Sequence, residues 1–294
     1  MQHHRWVTDE PRIPFDMTVL YEDEAIIVVD KPHFLATMPR GMWYRETALI
    51  RLREMYDEPN IVPAHRLDRM TAGVVVFVRD PALRGAYQTL FQERRTTKIY
   101  ECLAPAAPIH RPRYGTIKVL EPPRIFPLLR RSRIVKDRGI LQAYEEPGQV
   151  NAETVIELGE SGLTSDTGNL SARMLSVQAE CVACSCSGLC SRICGVHGAC
   201  GVRRCRENTI VRAYTLRPRT GKTHQLRVHM NSLGLPIVGD DFYPHVVERP
   251  FDDFSQPLEL VARYLSFVDP VSRELRVFVS HVPLGGVVER AVCQ

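Results

Sequence analysis

The residues best suited to chemistry lie in His65-Arg66-Leu67-Asp68-Arg69-Met70-Thr71-Ala72-Gly73, which runs straight into the apolar stretch Val74 to Val78. One carboxylate sits between two arginines, in a segment that ends in small residues and feeds a buried strand. Arg66 and Arg69 keep the local potential positive, which favours an ionised Asp68 and attracts a phosphate backbone. Thr71-Ala72-Gly73 carries no bulky side chain, so another chain can come close. A carboxylate held rigidly and ionised in this way is a candidate nucleophile or base. Taken alone, an Asp between arginines is equally the pattern of a salt-bridging surface loop.

Two further stretches bear on that choice: Lys98-Ile99-Tyr100-Glu101-Cys102, and Arg219-Thr220-Gly221-Lys222-Thr223-His224-Gln225-Leu226-Arg227-Val228-His229-Met230. With the Asp68 segment and the early Asp30-Lys31-Pro32, their order and approximate spacing resemble the motifs of the RluA family of RNA pseudouridine synthases. The resemblance runs over residues 19–158 and 210–279. It implies isomerisation of uridine: the bond from N1 to the ribose breaks, uracil turns, and C5 joins the same carbon. No electrons leave and no group is donated, so neither a redox cofactor nor a metal is expected. The chain accordingly has no glycine-rich dinucleotide loop and no P-loop.

By this resemblance Asp68 is the catalytic carboxylate. An ionised Asp in a pocket that excludes water needs a cation beside it, and Arg227 matches the family's partner residue. Tyr100 would stack on the uracil and take part in the later proton movement. Arg66 matches the residue that braces the stack vacated by the flipped base. The implied substrate is a uridine in structured RNA, ribosomal rather than transfer RNA. The implied fold is α/β, a mixed and mostly antiparallel sheet forming two lobes around a cleft that holds Asp68.

The elements that must position these residues are partly written in the pattern. Val19 to Tyr21 and Ala25 to Val29 predict a hairpin that ends at Asp30-Lys31-Pro32. His33-Phe34 follows where the family usually has Gly two residues after this Pro, so a different loop path is expected. Leu49, Leu52 and Met55 predict a helix over 46–56. Gly73 to Val78 reads as a strand, and Asp80-Pro81 as the cap and first position of a helix burying Leu83, Ala86, Tyr87, Leu90 and Phe91. Strands are expected over 98–103, 152–158 and 210–216, a helix over 223–233, and a closing hairpin from 260–267 and 275–279. On that last helix His224 and His229 lie five residues apart, about 140° around the axis, and cannot share one metal. Residues 105–150 are too rich in Pro and Arg to assign; Arg130-Arg131-Ser132-Arg133 reads either as a track for an RNA backbone or as a solvated face.

Composition sets the frame. A chain of 294 residues, 44% hydrophobic, can bury a substantial core. Net charge is +4, but 33 of the 38 basic residues are Arg, a skew that suits phosphate contacts and base stacking or reflects a coding bias. Residues 1–17 read as a polar arm, with residues 18–294 as the catalytic domain, and no appended N-terminal RNA-binding domain is expected. Neither an export signal nor a membrane span is seen, so the default is a cytoplasmic monomer. Residues 161–208 interrupt the domain as an insertion with seven of the nine cysteines, Cys181 to Cys205. Its pairs Cys181-x-x-Cys184 and His197-x-x-Cys200 raise zinc, but the other cysteines lack paired spacing. Disulfides do not fit the expected compartment. An insertion that displaced the following strand would part Asp68 from Arg227 and leave a catalytically silent RNA-binding protein.

Overall fold

The computed structural model describes residues 10–159, 175–176 and 210–285. The elements in the first half are β1 (Thr18–Glu22), β2 (Ile26–Lys31), α1 (Ala48–Tyr56), β3 (Val62–Pro63), β4 (Ala72–Val78), α2 (Arg84–Gln92) and β5 (Thr96–Pro105). They are followed by β6 (Thr116–Val119), β7 (Leu128–Val135), β8 (Tyr144–Glu146), β9 (Ala152–Leu158), β10 (Leu175–Ser176) and β11 (Ile210–Pro218). The chain then forms α3 (Gln225–Ser232), β12 (Leu260–Val268) and β13 (Leu275–Val279). The result is the expected mixed α/β architecture, with one large sheet in the order β1-β2-β4-β12-β5-β11-β9-β7-β6.

Runs of β-branched residues that bury both faces make the sheet's interior. Every residue of β2 and β4 is buried, and the two pair from Ile26–Val78 to Lys31–Gly73. One face packs into the main core with Leu226 and Met230 of α3, the other beneath Tyr87 and Leu90 of α2. Among the described strands every pairing is antiparallel except that of β4 with β12. There Gly73 has φ +115°, and a Cβ on it would stand 2.3 Å from the Ala262 carbonyl oxygen. The small residues after Asp68 thus admit the backbone of β12.

The helices start as the sequence indicates. Thr47 caps α1 by accepting from the Ile50 amide, and Asp80 accepts from Ala82 at 2.8 Å to open a 3₁₀ turn over Pro81–Leu83 that leads into α2. The buried face of α2 is narrower than expected: Tyr87 and Leu90 are buried while Ala86 is exposed.

Two features depart from the sequence reading, and a third keeps to it. Residues 105–150 hold β6, β7 and β8, and the arginine cluster lies on β7. Arg130 is fully buried against Glu145 at 2.6 Å and donates to the carbonyls of Tyr114, Thr116 and Arg131. Arg131 and Arg133 are half-exposed and paired with Glu153 and Glu146. The cluster is therefore bound up in ion pairs within the sheet. Residues 10–17 do not project as an arm. Ile13 is buried, Arg51 donates to the carbonyls of Ile13 and Phe15, and the Glu10 carboxylate accepts from the amides of Tyr44, Arg45 and Glu46. Finally, β11 keeps its place after the insertion, with Leu216 opposite Tyr100 of β5 and Ile156 of β9. Residues 1–9 and, apart from β10, the insertion with its cysteines and candidate zinc pairs lie outside the described residues.

Candidate active site

Asp68 sits in a turn whose main chain is pinned from the loop after β2. The Thr71 amide donates to the Asp68 carbonyl at 3.1 Å. The Thr37 hydroxyl donates to the Leu67 carbonyl at 2.8 Å and accepts from its amide at 3.1 Å. His33 Nδ1 donates to the Met70 carbonyl at 2.8 Å, and Lys31 Nζ to that of Arg69 at 3.4 Å. Leu67 and Met70 are buried on either side, and Arg69 stacks over Trp43. This leaves the Asp68 side chain 28% exposed, with His224 Nε2 at 3.8 Å from Oδ2. The backbone is fixed and the carboxylate is free.

The loop that does the pinning carries its own strain. Phe34 stands where the family has Gly and adopts φ 67°, the left-handed conformation a glycine would take without cost. Burial of its ring beside Phe15 and Phe254 holds it there. Lys31 is fully buried, donating also to the carbonyls of Pro32 and Leu35 at 2.9 and 2.7 Å. Burial lowers its pKa to about 7; Asp68 and Asp30 oppose the shift and Arg69 adds to it. Between pH 7 and roughly 10.4 the unfolded chain then holds a proton that the folded chain lacks, so stability rises with pH across that window. Lys31→Met should flatten that rise, read as urea midpoints at pH 7 and pH 9. The same slope in both proteins would mean that the buried amine stays charged.

Asp68, Tyr100 and Arg227 reach one cleft of about 940 Å³, together with Arg66, Lys98 and His224. This is the upper end of the range for small-ligand sites. A second hollow of about 550 Å³ is lined by Glu22, Asp23, Glu24, Glu58, Arg79 and Asp80. Its acidic lining repels a phosphate chain. Tyr100 arrives on β5, and burial, with the Asp68 charge adding, pushes its hydroxyl well above the usual range. It stays protonated at neutral pH. Arg66 is exposed at the cleft wall, free to contact a nucleic acid.

Arg227 is not the direct ion-pair partner of Asp68 that the sequence led us to expect. Its Nε donates to Asp240 Oδ2 at 2.8 Å, and its Nη2 to Asp240 Oδ1 and, at 2.8 Å, to Asp241 Oδ1. The fork is taken up by two carboxylates from the turn after Gly239, a pairing with no local sequence signal beyond the acidic doublet itself. Burial opposes the guanidinium charge, but the bond from Asp240 and the charges of Asp240, Asp241 and Asp68 hold its pKa above the ordinary value. Asp68 therefore meets Arg227 only through its charge, while His224 Nε2 lies 3.8 Å from its carboxylate.

The rest of the long motif anchors α3. Gln225 accepts from the Thr220 hydroxyl and donates to the Glu153 carbonyl and Thr154. His229 lies between Ser132 and Thr154, at 3.0 and 2.9 Å, and burial with Arg130 nearby lowers its pKa to about 3, so it is neutral. Gln225 and His229 thus fasten the helix to β7 and β9, while His224 and Arg227 face the cleft. Sequence reasoning weighed His224 only as a metal ligand. Its left-handed backbone at φ 54°, which turns the ring toward Asp68, is not written in the residue type.

Comparison with known proteins identifies the family. Residues 25–232 match the family model described as RNA pseudouridylate synthase. The dual-specificity RNA pseudouridine synthase RluA of Vibrio cholerae is 30% identical over 269 residues, covering 90% of this chain and 82% of that protein. The human pseudouridylate synthase RPUSD2 is 27% identical over 85% of this chain, which spans 34% of its length. The solved structure of human RNA Pseudouridylate Synthase Domain Containing 1 superposes with a TM-score of 0.57 at 22% identity, covering 94% of this chain and 87% of that one, a likeness of fold. On the match of motifs, chain coverage and fold, the chain belongs to the RluA family of RNA pseudouridine synthases.

Proposed function

We propose that this enzyme isomerises uridine in folded RNA to pseudouridine, with Asp68 as the carboxylate that acts at the ribose. The observation that carries the assignment is the contrast at Asp68, whose main chain is tied at every neighbouring residue while its carboxylate is turned into a cleft rich in cations. A pre-positioned, ionised carboxylate avoids the cost of ordering at the moment of reaction. Tyr100 offers a ring for the detached uracil and a hydroxyl that stays protonated. Arg227, immobilised by Asp240 and Asp241, holds a guanidinium at the cleft that Asp68 faces. Arg66, exposed at the wall, braces the RNA after the base has flipped.

Ribosomal RNA is the first substrate in this reading. Transfer RNA is the second; relatives 30% identical to this chain are described as dual-specificity RNA pseudouridine synthases. Nothing in the register of β11 favours a silent protein, since the strand that precedes Arg227 pairs on both edges. The test is tritium release from RNA labelled at uridine C5, with ribosomal and transfer RNA fractions from cells lacking the modification assayed separately. Release from the ribosomal fraction is expected. Binding of both fractions without release would refute the synthase reading, and release from transfer RNA alone would refute the ranking.

A further inference from the structure

The reaction contains one proton transfer that these assignments do not complete. Once C5 has bonded to the ribose carbon it still carries its hydrogen. That C–H bond breaks, its electron pair re-forms the C5–C6 double bond, and the C6–N1 pair moves onto N1, which takes up a proton. Asp68 stands at the sugar and can receive the C5 proton first. A carboxyl left protonated cannot begin the next turnover.

The hydrogen bonds around His224 fix where that proton can go. The Tyr243 hydroxyl lies 2.7 Å from the Ala143 carbonyl oxygen, a contact that needs a hydrogen between the two oxygens, and only the hydroxyl has one. The same oxygen accepts from the Ala143 amide at 2.8 Å. Toward His224 Nδ1, 3.1 Å away, Tyr243 can therefore only accept, so Nδ1 carries the imidazole hydrogen. In the neutral ring this leaves the Nε2 lone pair toward Asp68 Oδ2, at 3.8 Å. The gap exceeds a hydrogen bond, but catalytic contacts tighten when substrate is bound. A non-glycine residue keeps φ 54° only where its surroundings impose it, and here Phe242 and Tyr243 flank the ring.

We propose that His224 is a positioning residue that clears the C5 proton from Asp68. Nε2 takes the proton from the carboxyl, and the imidazolium releases it to the water of the cleft, from which N1 draws its own. The proposal rests on Asp68 being the catalytic carboxylate. The groups facing His224 suit the task. Burial lowers its pKa, Arg227 and Lys136 lower it further, and Asp68 and Asp240 oppose them, so the ring is neutral and ready to accept at pH 7.

The test uses the full-length His224→Ala variant on RNA carrying protium or deuterium at uridine C5. We expect kcat to fall about 100-fold, RNA affinity to hold, a C5 isotope effect to exceed that of the parent, and added imidazole to restore part of the rate. A variant that is slow with an unchanged isotope effect and no rescue has lost structure only, which overturns the proposal, as does unimpaired turnover. Tyr243→Phe, which keeps the ring and removes the acceptor for Nδ1, covers the case in which His224→Ala does not fold. It should show the same isotope effect with a smaller loss, and an unchanged isotope effect again overturns the proposal. Full activity in Asp68→Asn would instead refute the carboxylate assignment, separating that failure from one at His224.

Discussion

Asp68→Asn lowers the rate of tritium release by about 10⁴-fold and leaves RNA binding nearly unchanged. The substitution keeps the shape of the side chain and removes its charge and basicity, so both roles open to a carboxylate at the ribose are lost together. The fold should tolerate it. The contacts that shape the turn are made by Thr37, His33 and Lys31 to the main chain of Leu67, Met70 and Arg69, and none passes through the Asp68 carboxylate. RNA affinity comes chiefly from phosphate contacts, and removing one anion from the cleft weakens none of them. Asp68→Glu separates charge from geometry: it keeps the carboxylate and displaces it by one methylene, for which a loss on the order of 100-fold is expected. The measurement is single-turnover release with protein in excess, alongside a filter-binding titration. Release by Asp68→Asn within tenfold of the parent would move the chemistry to another group.

How much of this was legible in the sequence follows from where each signal resides. The strands β2 and β4 are continuous β-branched runs, and α1 and the Asp80 cap are local patterns, so these were readable without a partner. The gathering of Asp68, Tyr100 and Arg227 in one cleft came from motif order, with each residue on a different element. What escaped is tertiary. Arg130 reads as a surface cation because Glu145, which permits its burial, lies on the neighbouring strand and nothing local announces the pairing. Phe34 takes a glycine's conformation only because Phe15 and Phe254 receive its ring. The partners of Arg227 and the orientation of His224 depend likewise on the turn after Gly239, which the helix pattern does not mention.

Asp240→Asn should be the most destabilising of the single substitutions considered. Arg227 and Asp240 are 2% and 1% exposed, and Asp240 also accepts from the amides of Phe242 and Tyr243 at 2.8 and 3.0 Å. Removing one charge strands the other in a site closed to water, which costs about 3–5 kcal/mol and should lower Tm by roughly 10 °C. Asp241, at 16% exposed, remains as a partial partner and sets the lower end of that range. Arg227→Met alone should cost a similar amount by leaving Asp240 unpaired. The double variant Arg227→Met/Asp240→Asn removes both charges while the Asn oxygen still receives the two amides, so it should be less destabilised than the sum of its parents by about 2 kcal/mol. Turnover separates this recovery from function. If Arg227 provides the positive potential that Asp68 requires, the double variant regains stability and stays slow. Parental activity in the double variant would reduce Arg227 to a structural residue, and strict additivity of the melting data would show that the pair is not coupled as its geometry requires.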